Sequence, residues 1–273
     1  MSILNALLLD LACGLSLLTR LPVSWLFPPS DDHHEAPLPF ARSLWCWPLL
    51  GLCIGGFTGG ILWILEMLHV PPLVAACCAL AAQAFLTGAL HEDGLSDMAD
   101  GFGGQTPEQR LMIMRDSHIG SYGVIALCLS YGIRCGALAS FSMGAMLAPF
   151  ACGLAGGLAR MAIVSLPVFL PPARNNGLAA TLFPLPRRAL IGAFWLFSFF
   201  YVVLTLSFCF VIPYSLYKIT LDLTTPIFVT AAVVWGIAHN ARTRLGGYTG
   251  DVLGCCAVVV ECFVLTLFSA LFA

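Results

Sequence analysis

The chain has 273 residues, 59% of them hydrophobic and 10% charged, with a mean hydropathy of +0.92. A soluble domain carries about 25% charged residues, so a soluble enzyme, a secreted disulfide scaffold and a disordered chain are all excluded. Twelve basic against 14 acidic residues leave a net charge of −2, which argues against nucleic acid as a partner, because a nucleic-acid-binding face is strongly basic.

A helix needs about 20 apolar residues to cross about 30 Å of hydrocarbon. Eight runs are candidates in chain order, near 3–19, 44–65, 71–90, 120–141, 145–170, 189–212, 225–241 and 252–272. They predict an all-α polytopic membrane bundle of about eight transmembrane helices, a single membrane domain over residues 1–273. The first run is short and holds Asn5 and Asp10. It lacks a basic segment ahead of it and does not read as a cleavable signal peptide. The stretch Pro28 to Pro39, with Asp31, Asp32, His33, His34 and Glu35, reads as a solvated loop rather than a metal site. Twelve cysteines form no Cys-x-x-Cys pair, and those at 77, 78, 128, 255 and 256 lie inside apolar runs as small core fillers.

Alternating the loops puts Arg20, Arg42, Arg110, Arg115, Arg174, Arg187, Arg188, Arg242 and Arg244 on one side, with only Lys218 on the other. The positive-inside rule then places the arginine-rich loops in the cytoplasm and both termini outside. Arg134 and Arg160 fall within spans. A charge at mid-span costs about 2.5–3.5 kcal/mol on insertion scales, so Arg160 is expected to have a partner or a ligand.

After the third run comes a cytoplasmic acidic motif, residues 91–104. Four of the 14 carboxylates lie within it: Glu92, Asp93, Asp97 and Asp100. Asp93, Asp97 and Asp100 are spaced i, i+4, i+7, which on a helix gathers them into one stripe, while Glu92 points about 100° away. Like charges at this spacing repel, and a bound cation reverses the sign. Oxygen donors without cysteine favour a hard ion such as Mg²⁺ or Mn²⁺. His91 is equally readable as an interfacial polar group and as a ligand or base.

Residues 106–118 read as a short interfacial helix, with Arg110, Arg115 and Asp116 beside Leu111, Ile113 and Met114. Cytoplasmic loops 171–188 and 242–251 add Arg174, Arg187, Arg188, Arg242 and Arg244. The second loop runs into Gly246-Gly-Tyr-Thr-Gly-Asp-Val-Leu-Gly254, which opens the last span. That turn suits either phosphate at a helix start or a helix cap made by Thr249 or Asp251. Carboxylates, arginines and a glycine-rich turn on one side of a membrane are the parts of metal-assisted phosphoryl transfer.

These segments together resemble the cobalamin synthase family, the adenosylcobinamide-GDP ribazoletransferases. The likeness runs nearly end to end. It includes Leu18-Thr-Arg-Leu-Pro-Val23, Arg42-Ser-Leu-Trp with Pro48-Leu-Leu-Gly51, and the His91–Gly101 acidic segment. It continues through Met114-Arg-Asp-Ser-His-Ile-Gly120, Arg160, Ala173-Arg174 with Gly177-Leu178, and the Gly246–Gly254 turn. Pro172 stands where the family usually has Tyr, and Asn175-Asn176 replace its usual pair.

The resemblance implies an Mg²⁺-dependent transferase of the bacterial inner membrane, active on its cytoplasmic side in nucleotide-loop assembly. Such an enzyme joins adenosylcobinamide-GDP to α-ribazole or its 5′-phosphate and releases GMP. Its implied partners are these two substrates and the lipid bilayer, with no nucleic acid and with a homo-oligomer as an option. On this basis Asp93, Asp97, Asp100 and Asp251 are expected to hold Mg²⁺. His91, Glu92 or Asp116 is expected as base or supporting group, and Arg115, Arg160, Arg174, Arg244 and Thr249 as substrate contacts. The alternatives are a CDP-alcohol-type phosphotransferase of lipid synthesis and a divalent-cation transporter.

Overall fold

The computed structural model describes residues 3–26, 40–141, 147–211 and 216–272; the polar stretch Pro28–Pro39 lies outside them. Among the described residues there are α-helices and short 3-10 turns but no strand. In chain order come α1 (Ile3–Leu18), the single turn α2 (Phe40–Ser43), α3 (Trp47–Met67), α4 (Pro72–Thr87), α5 (Leu90–Asp100) and α6 (Pro107–Ile113). They are followed by α7 (Ser121–Ala139), α8 (Ala148–Phe169), α9 (Arg187–Val211), α10 (Leu216–Leu245) and α11 (Gly250–Phe272). Within the described residues no disulfide forms.

The chain folds as an all-α membrane bundle. Each of the eight expected runs coincides with a helix, but among the described residues five are long and apolar enough to cross: 40–67, α7, α8, 187–207 of α9, and 250–271 of α11. The helix α1 has 16 residues, about 24 Å at 1.5 Å per residue, which falls short of the hydrocarbon thickness. The helix α4 meets the criterion only together with α5, from which it is bent by 93°. Gly88 and Ala89 both adopt left-handed backbone there, with φ of 66° and 54°, and a right-handed helix cannot run through them. The 11 residues of α5 span about 16 Å, too short to cross. The interfacial helix is likewise shorter than expected and ends at Ile113.

The helices α8 and α11 are enclosed, with 78% and 72% of their apolar stretches buried against 28% for α9. The most extensive helix pair is α3 with α8. Gly51, Gly55 and Gly59 recur every fourth residue along α3, and a Cβ on any of them would strike the backbone oxygen of Gly156, Cys152 or Ala148 on α8. Backbones approach this closely only where side chains are absent, as in small-xxx-small membrane packing. Even α1 is tied in by a charge: buried Asp10 accepts hydrogen bonds from Arg42 Nε (2.5 Å) and Trp45 Nε1 (3.2 Å).

Two arginines lie inside spans, and both are paired. Arg160 of α8 donates to Glu261 of α11. Arg134 of α7 donates through Nη1 to Glu92 of α5 (3.1 Å) and to Glu261 (3.2 Å). Gln83 of α4 donates to Glu261 (3.1 Å), and Thr58 of α3 donates to Gln83 (2.9 Å). All six residues are buried.

Candidate functional site

The acidic helix α5 lies against α11 and α7. A Cβ at Gly94 would come within 3.0 Å of Asp251 Cα, and one at Gly254 would lie 3.2 Å from His91 Cα. These two glycines therefore let the start of α11 settle onto the first turns of α5. The contact brings Asp251 to the acidic stripe. Asp93 is exposed, and Asp97 and Asp251 are half-buried. Burial, then the charges of Asp93, Asp251 and Asp100, push the Asp97 carboxyl up to about 7, with Arg174 acting against them. Carboxylates at this density repel one another, and a cation placed among them removes the penalty.

Asp100 belongs to the same stripe but is engaged elsewhere. Its two oxygens accept the N–H groups of Gly120 (2.7 Å) and Gly123 (2.8 Å), capping the start of α7. A side chain on either glycine would collide with this carboxylate, which accounts for the Gly-Ser-Tyr-Gly sequence.

Arg174 reaches the site through the backbone. Ala173 N donates to Tyr248 O (2.8 Å) and Tyr248 N to Pro171 O (2.9 Å), forming a short parallel bridge between the two loops. Gly246 takes a φ of 78°, and a Cβ on Gly247 would strike Pro171 and Ala173. The paired glycines thus make the turn and admit the neighbouring loop. Thr249 accepts from Val252 N (3.3 Å) and donates to Asp251 (3.1 Å), which is the cap, one of the two roles the sequence left open. Arg174 donates to Leu111 O (2.6 Å), and Arg115 donates to Asn176 (2.9 Å). Burial and the nearby Arg115 lower the Arg174 pKa, while Asp251 and Asp97 hold it up.

Asp93, Asp251, His91 and Gly250 line a cavity of about 200 Å³ whose apolar wall includes Trp47, Leu178 and Leu182. His91 is buried there with its Nε2 unpartnered. Burial and the charge of Arg160 keep its ring neutral. Glu92 and Arg160 are committed to the buried ion network. Asp116 is exposed beside His118, which donates to it and lowers its pKa. Arg244 lies over the ring of Phe102, 5.1 Å from its centre.

The donors that converge here are carboxylate oxygens. Among the described residues no group of three or more His, Cys, Asp or Glu side chains is placed to hold a metal ion by itself. Mg²⁺ commonly takes one or two carboxylates and completes its octahedron with water and substrate phosphate oxygens, so it would need the substrate's oxygens here. Sequence reasoning missed Glu261, the acid on which both buried arginines converge. The available signal was a lone carboxylate in the last apolar run, Val258-Val-Val-Glu-Cys-Phe-Val264.

The cobalamin-5-phosphate synthase family matches residues 10–269 of the chain. A protein of Bradyrhizobium diazoefficiens named adenosylcobinamide-GDP ribazoletransferase is 37% identical over 263 residues, covering 96% of this chain and 93% of that one. A protein of the same name from Rhizobium meliloti is 37% identical over 262 residues, 94% of each chain. No solved structure matches.

Proposed function

The chain belongs to the cobalamin-5-phosphate synthase family, and we propose that it transfers the cobinamide phosphate of adenosylcobinamide-GDP to α-ribazole or its 5′-phosphate, releasing GMP with the help of Mg²⁺. A hydroxyl of the acceptor ribose attacks the phosphorus that bears cobinamide. The bond to the bridging oxygen breaks, GMP leaves, and the hydroxyl proton passes to solvent or to a carboxylate. One attack serving both acceptors uses a ring hydroxyl, because in the phosphorylated acceptor the 5′-oxygen is already esterified.

The observation that carries this reading is the meeting of Asp93, Asp97 and Asp251 with Arg174 at one mouth of the bundle. Asp93, Asp97 and Asp251 would hold the ion, while Asp100 keeps α7 capped. Bound there, Mg²⁺ supplies charge neutralisation for the diphosphate. Arg174, with Arg115 beside it, faces the leaving phosphate. The apolar wall of Trp47, Leu178 and Leu182 keeps bulk water from one side. A loose transition state at phosphorus asks for positioning and charge more than for a strong base. The excess of arginine in these loops supports a site on the cytoplasmic face of the inner membrane.

The test uses the full chain in detergent with adenosylcobinamide-GDP, α-ribazole and Mg²⁺. GMP and a completed corrinoid are expected, and EDTA should stop both. Asp97→Asn should cut GMP release by about 100-fold or more while the protein still unfolds cooperatively. Absence of GMP from the native chain would overturn the transferase reading. Near-normal turnover in Asp97→Asn would remove the ligand role.

A further inference from the structure

Glu92 and Asp93 are adjacent on α5 but do opposite things. Successive helical residues point about 100° apart. The rotation of α5 that offers Asp93 and Asp97 to the start of α11 therefore turns Glu92 into the bundle, where Arg134 holds it. Arg134 donates from the same nitrogen to Glu261, and Glu261 is also held by Arg160 and Gln83. The chain of contacts joins α3, α4, α5, α7, α8 and α11 through Thr58, Gln83, Glu92, Arg134, Arg160 and Glu261. Two guanidinium groups and two carboxylates cancel within it.

Buried ion pairs stabilise little compared with apolar residues of the same size, so the network calls for another account. The helix α5 is tied to α7 at its end by Asp100, and Glu92 makes the side-chain tie at its start. It is 11 residues long, starts after a left-handed pair, and meets α11 across glycines. A carboxylate stands about 6 Å from its helix axis, so a 20° turn moves it by about 2 Å. That displacement equals an entire Mg²⁺–oxygen distance of about 2.0–2.1 Å.

We infer that Glu92 and Arg134, with Glu261 behind them, are positioning residues that set the rotation of α5 and so bring Asp93 and Asp97 into register with Asp251 for a divalent cation. This rests on the magnesium reading above. The network holds α5 by the Glu92 side chain, one residue before the first proposed metal-binding carboxylate, and leaves that carboxylate free.

The test is Mn²⁺ binding to the full chain in detergent without substrates, followed by electron paramagnetic resonance. Glu92→Gln, which leaves Arg134 paired to Glu261, should weaken Mn²⁺ binding about tenfold, the lower end of the effect of residues that orient metal ligands, and should change the bound-ion spectrum. The apparent KM for Mg²⁺ should rise in step. Arg134→Met should do the same, and Arg134→Lys, which keeps a charge for both carboxylates, should recover most of the affinity. If Arg134→Met fails to fold, Glu92→Gln and Arg134→Lys still decide. Equal Mn²⁺ affinity and an unchanged spectrum in Glu92→Gln would overturn the positioning role and leave the metal site standing. No Mn²⁺ bound by the native chain would overturn the metal site itself, and this inference with it.

Discussion

Two charged regions share the helix α5 and differ in how their charge is closed. On its inner side Glu92 enters a buried set in which two arginines answer two glutamates. On its outer side Asp93 and Asp97 meet Asp251, and Arg174 is the cation that acts on Asp97. The inner set balances its charge without a ligand, although Arg134 Nη2 and Arg160 Nε have no hydrogen-bond partner. The outer set carries surplus negative charge and opens onto a cavity. A single helix thus presents a structural face and a reactive face one residue apart.

The sharpest way to break this contrast is to open the inner set. Glu261→Leu leaves buried Arg160 without its carboxylate and Arg134 with Glu92 alone. A loss of about 3–5 kcal/mol is expected, read as the fall in thermal midpoint in detergent. The outer set should respond to ions instead. Saturating Mg²⁺, at about 100 times its dissociation constant, should add about 2.7 kcal/mol of stability to the native chain, and differential scanning should show this shift lost in Asp97→Asn. Asp100 separates the two behaviours on the acidic stripe itself. Asp100→Ala removes the cap of α7 and should cost about 1–2 kcal/mol, while Mn²⁺ titration shows a smaller change than for Asp93→Ala. The smallest effect is expected from Asp97→Asn without metal. Removing one of several like charges should raise stability by a few tenths of a kcal/mol, and a fall of several degrees in the midpoint would contradict the crowding of charge.

The helical class and the acidic stripe could be read from the sequence because each rests on a short-range pattern. Runs of apolar residues mark helices wherever they fall, and i, i+4 spacing places Asp93 and Asp97 together without knowledge of any neighbour. The limits were of two kinds. Span length was misjudged where backbone conformation decides, as at Gly88 and Ala89, because apolar composition continues up to the bend. Long-range partners were hidden altogether. Arg160 was recognisable as a charge needing a partner, but its sequence neighbourhood does not reveal Glu261, 101 positions away. Asp100 and Asp97 look alike in the sequence, and only the approach of Gly120 and Gly123 distinguishes a cap from a candidate ligand.

The bend at Gly88 and Ala89 bears on how the chain enters the membrane at all. An aspartate carried to the bilayer centre costs roughly 2.5–3.5 kcal/mol on insertion scales, so Glu92, Asp93, Asp97 and Asp100 on a continuous transmembrane helix would cost on the order of 10 kcal/mol. Because α4 stops and α5 turns aside by 93°, no straight helix carries this cluster through hydrocarbon, and α5 lies against α7 and α11 instead.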